Sequence, residues 1–250
     1  MPILSIEIPQ SHPRKESLIT RELLIEGYKK GLVCDAGLIA HGRGEAFDYL
    51  LGERTHSFAC DAADAAVSML LLAKHPVISC NGNTAALCSK DLIYLSELLS
   101  APLEVNLFYK SFDRVQKIVS YLKDMGAKNV LGEVTSEKIP KLESKRAEVS
   151  KNGIFKADVV FVPLEDGDRT EALKTQGKKV ITVDLNPLSR TAQCADITIV
   201  DNIVRALPLL IKKVIKLRSY SSFVLEKILK DYNNTCILNE ATTRIRGNVR

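Results

Sequence analysis

The chain has 250 residues, 46% of them hydrophobic and 26% charged, with a formal net charge of +5. That length allows one large or two smaller domains with a core that needs no disulfide staples, and the composition excludes disordered, collagenous and coiled-coil classes. No apolar run approaches the roughly 20 residues of a membrane span, and Met1-Pro2-Ile3-Leu4-Ser5 lacks the basic-then-apolar layout of a signal peptide. A cytoplasmic protein without membrane contact is expected. The positive charge sits at one end: residues 205–250 hold ten basic and three acidic side chains, a balance of +7 that leaves −2 for residues 1–204. With a near-neutral body and no interleaved aromatic pattern, nucleic acid is not expected as a partner. The six cysteines (Cys34, Cys60, Cys80, Cys88, Cys194 and Cys236) show no Cys-x-x-Cys spacing. They and the four histidines match no zinc pattern, and the cysteines read as small buried side chains.

Residues 1–75 read as an N-terminal helical region. Leu18, Ile19, Leu23, Leu24, Ile25 and Tyr28 recur at helical spacing after Pro13. A loop through Asp35 and Gly37 follows, then helices over 45–51 and 58–74. From residue 76 the pattern changes. Apolar, β-rich runs at 76–80, 103–108, 157–163, 179–185 and 197–200 alternate with helical patterns at 87–99, 112–125, 168–176 and 203–217. This alternation predicts parallel strands in an α/β sheet flanked by helices. Residues 76–217 form that core. The polar stretch 133–154 reads as an insertion or smaller side unit, and 218–250 as a basic helical tail.

Ligands of open parallel sheets sit beyond the carboxyl ends of the strands, and here those ends are polar. Asn81-Gly82-Asn83-Thr84 follows the first strand, as a plain turn or as amides that fix hydroxyl and carboxylate groups. Glu165-Asp166-Gly167-Asp168-Arg169 follows a later one; its carboxylates suit Mg2+ on a nucleotide, or Asp168 only caps a helix. Asp184-Leu185-Asn186 ends another strand, where Asp184 and Asn186 could read the sugar or base of a nucleotide, and Arg190 and Thr191 reach phosphate. Asp201-Asn202 begins the helix after the last strand.

Two further segments lie upstream. Ser11-His12-Pro13-Arg14 opens a helix, either as a cap made by Ser11 or as an anion site with His12 and Arg14 as donors. Arg21, two turns on, points the same way as Arg14, on solvated surface or on the same site. In His41-Gly42-Arg43-Gly44 two glycines flank an arginine just before a predicted helix. Glycine lets backbone amides approach an anion, and Arg43 offers a planar fork for phosphate or carboxylate; a ligand-free turn is the alternative. Phe47 stands where a dinucleotide fingerprint needs its third glycine, and no P-loop occurs.

Together these segments resemble the archaeal phosphopantothenate synthetase (4-phosphopantoate–β-alanine ligase) family. The likeness is carried by Ile8-Pro9-Gln10-Ser11-His12-Pro13-Arg14, by residues 37–50 and 76–86, by Val105-Asn106-Leu107-Phe108-Tyr109, and by residues 162–172 and 184–191. It covers roughly residues 8–210, is weaker over 133–154, and leaves the tail after about residue 217 unassigned. It implies a Rossmann-like core, a homodimer, and an ATP-dependent condensation of 4-phosphopantoate with β-alanine to 4′-phosphopantothenate, AMP and pyrophosphate through an acyl-adenylate, in coenzyme A biosynthesis. Matching positions imply nucleotide contacts at Arg21, Arg43, Asp184, Leu185, Asn186, Arg190, Thr191, Asn202 and Ile203. Within that chemistry Arg43 and Arg190 would stabilise the transferring phosphate. His12, Arg14, His41 and Asn83 would hold phosphopantoate. Glu165 and Asp166 would bind Mg2+, with Asp166 and Asp168 acting at the reacting groups or on the amine. The competing readings are another AMP-forming carboxylate–amine ligase and a non-catalytic nucleotide-binding protein.

Overall fold

The computed structural model describes residues 8–164 and 167–248. Three helices come first: α1 (Lys15–Lys29), α2 (Asp35–Leu51) and α3 (Ser57–Leu72). The core then runs β1 (Pro76–Cys80), α4 (Gly82–Leu99), β2 (Leu103–Val105), α5 (Phe112–Asp124), β3 (Val130–Leu131), β4 (Glu137–Lys138), β5 (Glu148–Val149), β6 (Val159–Pro163), α6 (Gly167–Thr175), β7 (Lys179–Val183), α7 (Arg190–Cys194), β8 (Ile197–Ile199) and α8 (Ile203–Leu217). α9 (Ser222–Asp231) and α10 (Asn234–Asn248) close the chain.

Six strands form one sheet in the order β3-β2-β1-β6-β7-β8, and every pairing in it is parallel. This is the doubly wound Rossmann-like order, which reverses direction between β1 and β6 and opens a crevice there. The expected α/β architecture is present. The strands alternate their side chains between two buried faces. Ile78, Phe161 and Ile181 join a large core with α3, α4, α5 and α8. Val77, Val160, Val162 and Val180 join a smaller one with Ala172 and Leu173 of α6 and with Ile139, Val149 and Ile154. Burial on both faces is why these runs read as continuously apolar rather than alternating. α8 buries Ile203, Ala206, Leu207, Leu210, Ile211, Val214 and Leu217, a stripe at i, i+3, i+4 spacing.

The polar segment 133–154 builds the two-stranded β4–β5 unit, which covers the second sheet face. A buried carboxylate pins it there. Glu104 of β2, fully inaccessible, accepts hydrogen bonds from Ser150 N–H (2.9 Å) and Ile154 N–H (2.6 Å). Burial pushes its carboxyl above the usual range, and the two amides oppose that shift. Asn106 adds bonds from Nδ2 to Arg146 O and Glu148 O, so the run expected as strand over 103–108 leaves the sheet after Val105.

Helix starts also differ from expectation: the helix expected over 87–99 starts at Gly82, so Gly82-Asn83-Thr84 is its first turn and not a separate turn. The helix expected to start near residue 45 starts at Asp35, so Gly37, Gly42 and Gly44 lie inside α2 and Arg43 is not at a helix N-terminus. Two of these glycines serve close approach rather than a turn: a Cβ on Gly37 would overlap Asn83 Oδ1 of α4, and one on Gly44 would lie 3.1 Å from Asn202 Nδ2.

Candidate functional site

The strand ends and α2 enclose a cavity of about 890 Å³, within the range of ligand pockets. Its floor comes from the residues after β1 (Asn81, Gly82, Asn83), after β6 (Leu164) and after β7 (Asp184, Leu185, Asn186). The β1–α4 turn is rigid. Asn81 Oδ1 accepts from Thr84 N–H (3.0 Å) while Asn81 N–H donates to Thr84 Oγ1 (2.9 Å), a reciprocal cap. Asn81 Nδ2 then donates to Leu164 O (3.2 Å), tying the two central strand ends together. Leu164 holds φ +58°, a left-handed conformation that costs a non-glycine residue about 1 kcal/mol or more.

The β7–α7 loop is shaped by Asp184, which accepts from Ser189 Oγ–H and from Asn186 N–H (2.9 Å). Burial raises its proton affinity; the two hydrogen bonds and the charge of Arg43 act against that. Behind the wall, Arg205 bridges two nearly inaccessible carboxylates, Asp48 of α2 (2.6 Å) and Asp201 (2.8 Å). Asp201 Oδ1 accepts from Asn202 N–H (2.7 Å), and Asn202 Nδ2 donates to Asp48 Oδ2 (3.4 Å). This network fixes Asn202 where α2 meets α8.

Among the described residues the lining carries four arginines, Arg43, Arg114, Arg146 and Arg246, and one acid, Asp184. Arg114 is held by Leu32 O and Tyr109 O, both at 3.1 Å. His41 Nε2 is buried with no hydrogen-bond partner among the described residues, and desolvation lowers the imidazole's proton affinity. The described lining therefore presents strong positive charge and several amides to whatever fills it. Such surroundings favour a polyanionic ligand.

Of the residues singled out from sequence, His41, Arg43, Asn83, Asp184, Leu185, Asn186, Thr191, Asn202 and Ile203 line this cavity together. Asn83 Nδ2 is occupied by Gly37 O (2.8 Å). The others lie elsewhere. Arg14 donates to Glu53 (2.9 Å) and stacks 3.8 Å over the Tyr49 ring, while His12 Nδ1 accepts from Arg14 N–H (3.1 Å). Arg21 pairs with Glu45 at 2.6 Å, one turn from His41 on α2. Arg190 pairs with Asp168 (2.7 Å) and Glu171 (3.1 Å) on an exposed edge of α6. Glu165 and Asp166 lie outside the described residues.

Sequence reasoning missed Arg114, Arg146 and the α10 residues Thr242, Ile245 and Arg246. α10 reaches the cavity because its first residue is anchored: Asn234 Nδ2 donates to Ala192 O (2.9 Å), and Asn234 Oδ1 accepts from Thr198 N–H (2.9 Å). No local motif announces such a wall.

Among the described residues no three His, Cys, Asp or Glu side chains converge to hold a metal ion. Mg2+ travelling on nucleotide phosphates needs only one or two protein carboxylates. Asp184 is the sole acid in the described lining, and its oxygens are engaged by Ser189 and Asn186. The described residues thus form no dedicated magnesium site.

No helix among the described residues is long and apolar enough to cross a membrane. Residues 58–248 match the phosphopantothenate/pantothenate synthetase family. The chain is 54% identical over 242 residues to the 4-phosphopantoate–β-alanine ligase of Thermococcus kodakarensis, covering 96% of this chain and 93% of the relative. It is 47% identical over 244 residues to the enzyme of that name from Methanosarcina mazei, covering 98% and 96%. With that of Methanospirillum hungatei it shares 54% over 200 residues, covering 80% and 82%. Matches of this extent and identity, on a Rossmann-like sheet with an arginine-rich crevice, place the chain in the phosphopantothenate/pantothenate synthetase family.

Proposed function

We propose that the chain is an ATP-dependent ligase that joins 4-phosphopantoate to β-alanine, releasing AMP and pyrophosphate, in coenzyme A biosynthesis. The observation that carries this reading is the charge of the described cavity lining: four arginines against one engaged aspartate. Two of the three substrates, ATP and 4-phosphopantoate, are polyanions that must be held side by side.

A carboxylate is a poor acyl donor. Its oxygen attacks the α-phosphorus of ATP, the bond to pyrophosphate breaks, and an acyl-adenylate forms. The free-base amine of β-alanine then forms the C–N bond, AMP leaves with the C–O electron pair, and the nitrogen gives up one proton to solvent. No protein nucleophile takes part; the protein aligns reactants and neutralises charge as pyrophosphate departs. Arg43, which lines the cavity, takes that task in this reading. Asn202 and the Asp184–Asn186 turn suit the nucleoside, and His41 suits an oxygen of phosphopantoate. ATP as co-substrate, with Mg2+ arriving on its phosphates, belongs to this reading. Arg21 and Arg190 would have to exchange their present carboxylate partners for phosphate.

We also read the protein as cytoplasmic, where ATP is available, and as a homodimer. The homodimer is what the family resemblance implies, and Ile39 of α2, 79% exposed, is one apolar side chain a second copy would cover. The decisive assay measures AMP release with each substrate omitted in turn. A requirement for both 4-phosphopantoate and β-alanine is expected; AMP release with a different acid or amine, or none at all, overturns the assignment.

A further inference from the structure

A second hollow of about 380 Å³ lies beside the first and shares Phe108 and Arg146 with it. Its walls come from the segment that links β4 to β5 (Lys141, Leu142, Glu143, Ser144) and from α6 (Asp168, Arg169, Glu171, Ala172, Thr175). Its charge differs in kind. Lys141, Arg146 and Arg169 face Glu143, Asp168 and Glu171, whereas the first cavity is dominated by arginine. A site of mixed sign fits a small zwitterion rather than a polyanion.

Among the described residues the first cavity offers a cationic amine no unengaged carboxylate. An ammonium ion gains nothing from four arginines, and Asp184 already accepts two hydrogen bonds. The second hollow supplies what is missing. Asp168 and Glu171 sit exposed at its rim with Arg190 bridging them, so one cation meets two carboxylates and the pair keeps a net negative charge that attracts a cationic amine from solvent. Lys141 offers a cation for the distal carboxylate. It holds φ +63°, a conformation rarely adopted by a long side chain. Arg146, nearly inaccessible and 5.9 Å from the centre of the Phe108 ring, forms the wall common to both hollows.

We propose that this second hollow is the entry and binding site of the short ω-amino acid, with Lys141 recognising its carboxylate. The proposal rests on the ligase reading above. It makes Lys141 a specificity residue for the amine substrate only.

The test separates the two halves of the reaction. Pyrophosphate exchange into ATP, driven by 4-phosphopantoate alone, reports the first cavity; amide formation reports both. In Lys141→Asn, which keeps a residue tolerant of the left-handed backbone, exchange should stay within twofold of the parent while the KM for β-alanine rises about tenfold or more, the scale of one charge-assisted hydrogen bond. The preference for β-alanine over its uncharged amide, 3-aminopropanamide, should collapse, and Lys141→Arg should restore it. An unchanged β-alanine KM, or an equal loss with both amines, overturns the proposal. Absence of exchange in the parent protein would instead refute the adenylate reading on which it rests.

Discussion

Replacing Arg205 with methionine removes the cation between Asp48 and Asp201 while keeping the aliphatic stem. The two carboxylate side chains are only 7% and 1% exposed, and Arg205 itself 19%, so solvent screens little of the interaction. Breaking a buried pair by deleting one partner costs about 3–5 kcal/mol, because the remaining charge is left uncompensated. At ~2–4 °C per kcal/mol for a chain of this size, Tm should fall by about 6–20 °C at pH 7.5. The pH dependence gives a second reading. Burial already raises the proton affinity of Asp201, and Arg205 is the largest influence opposing it. Without Arg205 its folded-state pKa rises further above the unfolded value. A carboxyl so raised contributes stability that is complete below the unfolded pKa and lost as pH rises through the folded one. The deficit of the variant should therefore shrink at pH 5 and widen toward pH 7.5. Thermal unfolding followed by circular dichroism at both pH values measures this. A second variant that adds Asp48→Asn and Asp201→Asn should recover much of the loss. A Tm within about 2 °C of the parent at pH 7.5, or a deficit equal at both pH values, would refute the reasoning.

Arg43→Ala should lower kcat for AMP formation by about 10²–10³, the usual cost of one donor that meets charge developing in the transition state, with little change in Tm. Near-normal turnover would remove Arg43 from its assigned role. Arg246→Ala should raise the KM for ATP about tenfold and leave the KM for β-alanine unchanged, because α10 lines only the first cavity; steady-state kinetics with each substrate varied decides this. His41 has a proton affinity lowered by burial, so its stabilising contribution is present above the unfolded pKa near 6.5 and lost as pH falls through the folded value. His41→Gln should therefore lose less Tm than the parent between pH 7.5 and pH 5.5. An equal loss in both proteins would show that His41 remains solvated.

The lattice of strands and helices was legible because the sheet is buried on both faces. Runs such as Val159–Pro163 and Lys179–Val183 must be apolar throughout, and that leaves a mark needing no partner to be seen. β3 and the β4–β5 pair left no such mark. At two residues each they carry no periodicity; β3 exists through its parallel pairing with β2, and the β4–β5 unit is held to the sheet by Glu104 and Asn106. The glycines near Arg43 were visible but misleading. Glycine signals either a turn or a close approach, and the difference depends on Asn83 and Asn202, 46 and 158 positions away from Gly37 and Gly44.

The site divides in the same way. Polar residues at strand ends were predictable from topology alone, and Asn83, Asp184, Leu185, Asn186 and Asn202 do converge. The +7 balance of residues 205–250 is visible in the sequence, but charge count alone does not separate surface cations from those that reach the cavity. Arg246 acquires a place in the cavity only because Asn234 fixes the start of α10 against α7 and β8. Arg190 and Asp168, singled out separately, instead meet each other, since opposite charges brought within 2.7 Å pair before any ligand arrives. Local sequence determined which segments could be strands, helices and polar ends, because propensity and periodicity act over a few residues. Tertiary structure decided which cations face the cavity and which are already neutralised, because that depends on distances between residues far apart in the chain.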